Sequence, residues 1–303
     1  MRIGVDLGGT KIEFIAIDND GNTLMRNRVK APQNEYSETL KAIETGILAI
    51  ENSLDQIGSI GVGIPGSVSQ QTGLVKGANS VWLIGHPIDK DLETILKRPV
   101  RVANDANCFT LSESIDGAGM EYEVIFGVIL GTGVGGGLCI NGQIITGPNG
   151  ITGEWGHSPM PGVPPKLPKQ RNKERSCYCG KNNCIETYLS GPGFSKSFLE
   201  TAGNTLSPKE IVTKLDQGDP LANSVMQNYE QQLSRALSGV INILDPDVII
   251  LGGGISNIER LYENVPSLWQ KWCFSDHVIT PLKRAKHGDS SGVRGAAWLW
   301  PII

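Results

Sequence analysis

No run of about 18 consecutive apolar residues occurs in this chain of 303 residues, so no segment has the length of a membrane-spanning helix. An apolar signal core is missing as well. Met1-Arg2-Ile3-Gly4-Val5-Asp6 enters a strand pattern at once, and cytoplasmic residence is the expectation. Positive charge is not in excess. The formal net charge of -4 gives no case for nucleic acid or an anionic membrane as a partner. The Walker phosphate loop, Gly-x4-Gly-Lys-Ser/Thr, is absent from the whole chain, which excludes that type of nucleotide site. Cysteine is scarce, with six in all, yet three of them crowd into residues 177–184. The length itself predicts about two domains, each able to bury a core.

The pattern of what is present reads as alternating strands and helices. Residues 2–7, 12–17 and 23–29 form a predicted meander, with a turn at Asn19-Asp20-Gly21-Asn22. Tyr36, Leu40, Ile43, Ile47, Ile50 and Leu54 recur at helical spacing, so 36–54 is an amphipathic helix. A strand over 59–64 runs into Pro65-Gly66-Ser67, and a short helix covers 88–97. The opening pattern then returns: Gly127-Val128-Ile129-Leu130-Gly131-Thr132-Gly133 aligns with Gly4-Val5-Asp6-Leu7-Gly8-Gly9-Thr10. This weak repeat predicts two related halves facing a cleft. A long helix over 220–244, a strand from Asp247 to Leu251 and a final small-residue helix over 289–300 complete the pattern.

Chemistry concentrates at a few places. Asp105 lies between Asn104 and Asn107 just after the strand-like run 99–103, where a carboxylate can serve as general base for a hydroxyl nucleophile. The same Asn-Asp pair also fits a helix N-cap, since Cys108, Leu111 and Ile115 follow at helical spacing. Gly8-Gly9-Thr10-Lys11 lets backbone N–H groups approach a phosphate, with Lys11 adding charge. It equally fits a tight hairpin that needs glycine for its φ angles. Gly131-x-Gly133-x-x-Gly136 satisfies the dinucleotide fingerprint, but 138–145 reads as a hairpin where that fingerprint must open a helix. A Gly-rich phosphate turn between strands is the better account. Leu251-Gly252-Gly253-Gly254 could admit a flat ligand against the backbone or simply turn a strand into a helix.

Cys177, Cys179 and Cys184 flank a polar turn and read as one zinc site, with His157 the nearest fourth ligand. Buried structural thiols are the alternative. His86, His277 and His287 have no such company, and Cys108, Cys139 and Cys273 sit in apolar settings expected to be core. The basic run 166–175 reads as a solvated loop.

Asp6-Leu7-Gly8-Gly9-Thr10-Lys11, Asn104-Asp105, Glu154-x-Gly156-His157, Cys177-x-Cys179-Gly180-x3-Cys184-x-Glu186 and Leu251-Gly252-Gly253-Gly254 together resemble the ROK family of sugar kinases, in the family's order and over nearly the whole chain. Asn79-Ser80-x-Trp82-Leu83 and Lys286-His287-Gly288-Asp289-Ser290-Ser291-Gly292 look most like its bacterial fructokinase, or manno(fructo)kinase, branch. One departure stands at Asn183, where the family usually has Gly; Asn tolerates the left-handed conformation, so an intact zinc loop is expected.

The resemblance implies an α/β chain of two actin/hexokinase-like (ribonuclease H-like) domains around a central cleft. Residues 1–115 would form the first, with the last helix, 290–303, packing back on it; 116–289 would form a larger second carrying the zinc loop. It implies ATP with Mg²⁺, held by Gly4, Val5, Asp6, Leu7, Gly8, Gly9, Thr10 and Lys11, by Gly131, Thr132, Gly133, Val134, Gly135 and Gly136, and by Gly253 and Gly254. A hexose would meet Gly66, Asn79, Asn104, Glu154, His157 and Glu186, with Asp105 as catalytic base on its 6-hydroxyl. Structural Zn²⁺ would be bound by His157, Cys177, Cys179 and Cys184. D-Fructose is the expected acceptor, with mannose or glucose weaker, and N-acetylglucosamine or glucose kinase is the nearest alternative. Sugar-responsive ROK repressors carry a helix-turn-helix ahead of the first strand; only Met1-Arg2 precede it here, which disfavours that reading. A non-catalytic sugar-binding module would fit only without Asp105 or the phosphate turns. A homodimer is compatible with the family.

Overall fold

The computed structural model describes residues 1–163 and 174–301. Strand β1 (Arg2–Leu7) turns into β2 (Lys11–Ile17), which turns into β3 (Thr23–Lys30). Helix α1 (Tyr36–Leu54) follows, with Leu40, Ile43, Ile47 and Ile50 buried along one face as their spacing predicts. The chain continues through β4 (Ser59–Ile64), a ribbon of β5 (Ser67–Val68) and β6 (Val75–Lys76), and α2 (Ile88–Leu96) to β7 (Val100–Asn104). These strands make a sheet of order β3-β2-β1-β4-β7, antiparallel on the β2–β3 side and parallel from β1 to β7. Val5, Phe14, Ile43, Ile47 and Val62 centre its core.

Helix α3 (Asp105–Ile115) leads to β8 (Val124–Leu130), β9 (Val134–Ile140) and β10 (Gln143–Ile144). Four helices come next: α4 (Glu186–Leu189), α5 (Gly191–Ala202), α6 (Pro208–Asp216) and α7 (Pro220–Leu244). Their starts are written in the sequence: Ser207 and Glu210 form a capping box on α6, and the Asp219 carboxylate caps α7 with Pro220 at its first turn. Then β11 (Val248–Gly252), α8 (Leu261–Trp269), β12 (Leu282–Arg284) and α9 (Ser291–Ala297) close the chain. The second sheet has the order β10-β9-β8-β11-β12. That is the first sheet's order again, with β8 in the central place of β1, so the repeat of Gly4–Thr10 in 127–133 is a repeat of topology. Phe194, Tyr229, Leu233, Leu251 and Trp269 belong to a separate second core.

Two compact units result. The first comprises Met1–Glu123, Gly137–Thr152 and the chain from Lys286; the second comprises Val124–Gly136 and Gly153–Ala285. The expected division at 115/116 and 289/290 differs chiefly in Gly137–Thr152, which groups with the first unit. Packing explains this: Gly137 leaves room only 2.4 Å from the Thr110 hydroxyl of α3, and Lys76 Nζ donates to the Asn149 carbonyl at 3.0 Å. Helix α9 belongs to the first unit and spans Ser291–Ala297, shorter than the expected 290–303. It lies backbone to backbone on β1 and β4. A Cβ on Gly4 would stand 2.1 Å from the Val293 carbonyl, and one on Gly61 only 1.8 Å from that of Ala296.

Two smaller expectations change. Cys108 and Cys139 are buried, whereas Cys273 is only partly so. Most of the basic run 166–175 lies outside the described residues, and its last member is no solvated side chain. Arg175 is 4% exposed. Its guanidinium donates to the Thr187 carbonyl at 2.7 Å, Ser197 Oγ at 3.0 Å and Glu200 at 2.6 Å, and it stacks on Tyr188. A run of like charge conceals such a residue, because its neighbours suggest solvent and its partners are remote in sequence.

Candidate functional site

In the first unit, β7 delivers Asn104 and α3 begins with Asp105. The two readings of this pair divide between its residues. Asn104 is the cap: its Oδ1 accepts the N–H of Ala106 at 2.9 Å and of Asn107 at 3.3 Å, while its Nδ2 donates to the Gly66 carbonyl at 2.9 Å. Asp105 is the first helical residue, and its Oδ1 takes the Ala106 N–H at 2.8 Å. The carboxylate therefore sits where the helix dipole favours negative charge. Gly66, held by Asn104, has a φ of 74°, and a side chain there would collide with the Lys76 carbonyl.

Asp6 stands at the end of β1, facing Gly292 of α9 and Gly63 of β4. Burial, then the charges of Asp105 and Glu13, push its carboxyl up to about 7. Burial beside the same two aspartates also pushes the Cys108 thiol far up. Lys11 and Arg28 oppose the Asp6 shift only in part, although Glu13 is itself paired with Arg26 and Arg28.

The turn between β1 and β2 is tight, with the Gly8 N–H donating to the Lys11 carbonyl at 2.9 Å. Neither Gly8 nor Gly9 adopts a positive φ, so the expected conformational reason for glycine does not apply. Space is the reason at Gly8, where a Cβ would stand 3.1 Å from that carbonyl. Thr10 and Lys11 are exposed at the turn. Gly4, Val5 and Leu7 are instead buried within β1, Gly4 beneath α9, so their side of the expected nucleotide set is filled by protein. Asn79 is exposed. Gln33, which the sequence reading passed over, donates to the Gly9 carbonyl at 3.0 Å; nothing in its local string signals this.

In the second unit, a single 3-10 turn, Glu154–His157, carries two of the expected residues. It can lie on the start of β9 because Gly156 has no side chain: a Cβ would be 2.3 Å from the Val134 carbonyl. The cysteine loop folds beside it through short bridges, Ser176 with Asn182 and Pro159 with Cys184. Asn183 adopts the left-handed conformation expected of it, with a φ of 56°, and its Oδ1 accepts from the Arg175 N–H and the Tyr188 hydroxyl at 2.9 Å each.

The ligand atoms of His157, Cys177, Cys179 and Cys184 all lie within 4.8 Å of one another. Cys177 Sγ is 3.5 Å from His157 Nδ1, and the sulfurs of Cys179 and Cys184 are 3.6 Å apart. Tetrahedral zinc, with Zn–S of about 2.3 Å and Zn–N of about 2.0 Å, separates its ligands by roughly these distances. The donor set fits the ion, and four protein ligands would leave it no open position, as in a structural site. His157 Nε2 points away from the sulfurs, 3.0 Å from the Tyr178 hydroxyl.

Glu186 opens α4 two residues after the last cysteine. Its Oε2 accepts the Val134 N–H at 3.0 Å, and its Oε1 lies 3.9 Å from Cys177 Sγ. The Gly-rich turn is closed by the Gly131 N–H donating to the Gly133 carbonyl at 3.0 Å, and strand β9 follows it, as the hairpin reading requires. At the end of β11 the glycines separate in role. Gly253, with a φ of 81°, packs against Leu130, where a Cβ would meet the backbone at 2.5 Å; Gly254 has open space.

A model of the ROK family matches residues 2–302. The chain belongs to the ROK family. It is 38% identical over 301 residues to an N-acetyl-D-glucosamine kinase of Haemophilus influenzae, with 99% of each chain covered. The N-acetyl-D-glucosamine kinase of Pasteurella multocida is likewise 38% identical over 301 residues, with the same coverage. Among solved structures, the ROK hexokinase from Thermus thermophilus superposes with a TM-score of 0.84 at 27% identity, covering 98% of this chain and 96% of its own. A ROK family glucokinase from Streptomyces griseus, in complex with glucose and AMPPNP, gives 0.78 at 26% identity over 98% and 97% of the two chains. The α/β fold of this ROK chain is therefore that of the hexokinase-like members, as expected. The sugar named for these two kinases is N-acetyl-D-glucosamine and not the expected fructose. Among the described residues no helix is long and apolar enough to cross a membrane.

Proposed function

We propose that this ROK chain is an ATP-dependent sugar kinase whose preferred acceptor is N-acetylglucosamine, phosphorylated at the 6-hydroxyl. The observation that carries the acceptor is the end-to-end likeness to relatives named for that sugar. N-Acetylglucosamine, the nearest alternative that the family resemblance offers, displaces fructose as the first choice. Fructose remains the second reading on the strength of the strings around Trp82 and His287 alone.

In this mechanism Asp105 accepts the proton of the sugar hydroxyl as its oxygen bonds to the γ-phosphorus, and the bond to the bridging oxygen breaks to release ADP. Asn104 holds the carboxylate's backbone by capping α3 and tying it to Gly66. Glu154, His157 and Glu186 contact sugar hydroxyls in the second unit. The turns at Gly8 to Lys11 and Gly131 to Gly136 supply N–H groups to the phosphates, and the open face of Gly254 suits the adenine. Asp6, once deprotonated, is the acid that would hold a water of Mg²⁺ on the nucleotide, and that ion would supply charge neutralisation at the phosphates. His157, Cys177, Cys179 and Cys184 would hold zinc, which would fix the loop that carries His157.

A coupled ADP-release assay over N-acetylglucosamine, fructose, mannose and glucose tests the reading. N-Acetylglucosamine should give the highest kcat/KM. A best acceptor among the others replaces the sugar assignment, and no turnover with any of them rejects the kinase.

A further inference from the structure

The contacts of Glu186 reach in two directions. One oxygen faces Cys177 of the metal cluster, and the other accepts the Val134 N–H at the end of the Gly131–Gly136 turn. The same turn receives a second bond from this region, the Gly191 N–H to the Gly131 carbonyl at 2.8 Å. Gly133 is shaped around the carboxylate, since a Cβ there would stand 2.7 Å from Oε2. Glu186 itself is held at the start of α4. Buried Arg175 binds the Thr187 carbonyl, and the buried Tyr229 hydroxyl donates to the Leu189 carbonyl at 2.7 Å. A charged acceptor on a backbone amide makes one of the stronger hydrogen bonds available to a protein.

We infer that Glu186 is a positioning residue for the nucleotide: its carboxylate is a strut that fixes the second phosphate turn from the start of α4. This rests on the reading of that turn as a phosphate cradle. It assigns Glu186 a task separate from any sugar contact, because the strut exists before a sugar arrives. A hydrogen bond between Glu186 and an incoming sugar would then reach the turn through one side chain. Sugar and nucleotide affinities become coupled, by the same factor in both directions.

The test is calorimetric titration of ADP into the zinc-loaded protein without sugar, with zinc content measured for each variant. Glu186→Asp, one methylene too short to reach the Val134 amide from α4, should raise the ADP Kd about 10- to 150-fold, the scale of one charge-assisted hydrogen bond. Gly133→Ala keeps the carboxylate but displaces it, and should raise the Kd in the same direction. Exchange of the Val134 amide with deuterium should quicken in both. A residue that only touches sugar would raise the sugar KM and leave these readouts unmoved. Unchanged ADP affinity and Val134 protection in folded, zinc-loaded variants would therefore overturn the strut while leaving the kinase reading intact. A wild-type chain that binds no nucleotide would overturn both.

Discussion

His157 and Tyr178 meet edge to face, with ring centroids 5.1 Å apart and the Tyr178 hydroxyl 3.0 Å from His157 Nε2. Because Nδ1 faces the cysteine sulfurs, Nε2 is the imidazole's outward group, and an exposed phenol occupies it. A sugar hydroxyl bound by His157 has to displace that phenol. Tyr178→Phe should therefore lower the sugar KM about 2- to 5-fold with kcat unchanged, the scale of one modest hydrogen bond. A raised KM in steady-state kinetics would instead show that the phenol itself helps to bind sugar.

Asp105 is the base in the proposed reaction, and its removal should affect the chemical step more than binding. Asp105→Asn should reduce kcat by about 10² to 10⁴ while calorimetry shows retained sugar affinity. Near-normal turnover in the folded variant would reject the assignment.

The acid pair predicts a pH dependence with a definite sign. Asp6 titrates at about 7 in the folded chain, raised chiefly by burial and then by Asp105. Folded protein thus binds a proton that the unfolded chain releases near its ordinary carboxylate pKa. Stability of the ligand-free protein should fall as pH rises between those two values and level off above about 7. Affinity for the magnesium nucleotide should rise over the same interval, since only deprotonated Asp6 serves the cation. Asp6→Asn should flatten both curves in chemical denaturation and nucleotide titration.

Much of the fold was legible because local rules agree with the tertiary outcome. The apolar spacing of 36–54 and the strand pattern of 59–64 correspond to α1 and β4 at the residue level. The repeated Gly-rich strings marked the central strands of both sheets. The cysteine spacing marked the loop whose sulfurs gather with His157 into a donor set that could hold a metal. Long-range partners were not legible. Nothing in the local string shows that Gly4 makes room for α9, nearly 290 residues later, so the family resemblance alone placed it with the nucleotide. The Arg175 partners and the Glu186–Val134 bond are invisible for the same reason: each joins segments whose meeting depends on the completed fold.

The buried Arg175 clamp predicts a loss of stability that propagates to the sugar. Its guanidinium satisfies the Thr187 carbonyl, Ser197 and Glu200 at once, so removal leaves the first two of these acceptors without that donor inside the fold. Arg175→Ala should lower the Tm by several degrees, corresponding to about 2–4 kcal/mol. Arg175→Lys should recover only part, because one ammonium cannot reproduce the planar fork. Differential scanning calorimetry of the two variants should therefore rank wild type above Lys above Ala, with the sugar KM rising in the reverse order.

The metal loop carries the last prediction. Cys177, Cys179, Cys184 and His157 come from two segments joined by short bridges and by the packing of Trp155, Met160 and Ile185, and a bound ion would add a direct tie between them. Structural zinc contributes about 10–16 kcal/mol of apparent binding energy in small peptides, ample to hold such a loop. Cys179 is the one exposed sulfur of the three, so Cys179→Ser disturbs packing least and reports on the metal most directly. This variant, or a strong chelator, should raise the sugar KM about tenfold or more and lower the Tm, by analogy with the cost of lost metal support elsewhere. Elemental analysis checks the premise: metal-replete wild type should carry one zinc per chain. Full sugar affinity in folded, zinc-free protein would show that His157 is held well enough without the ion.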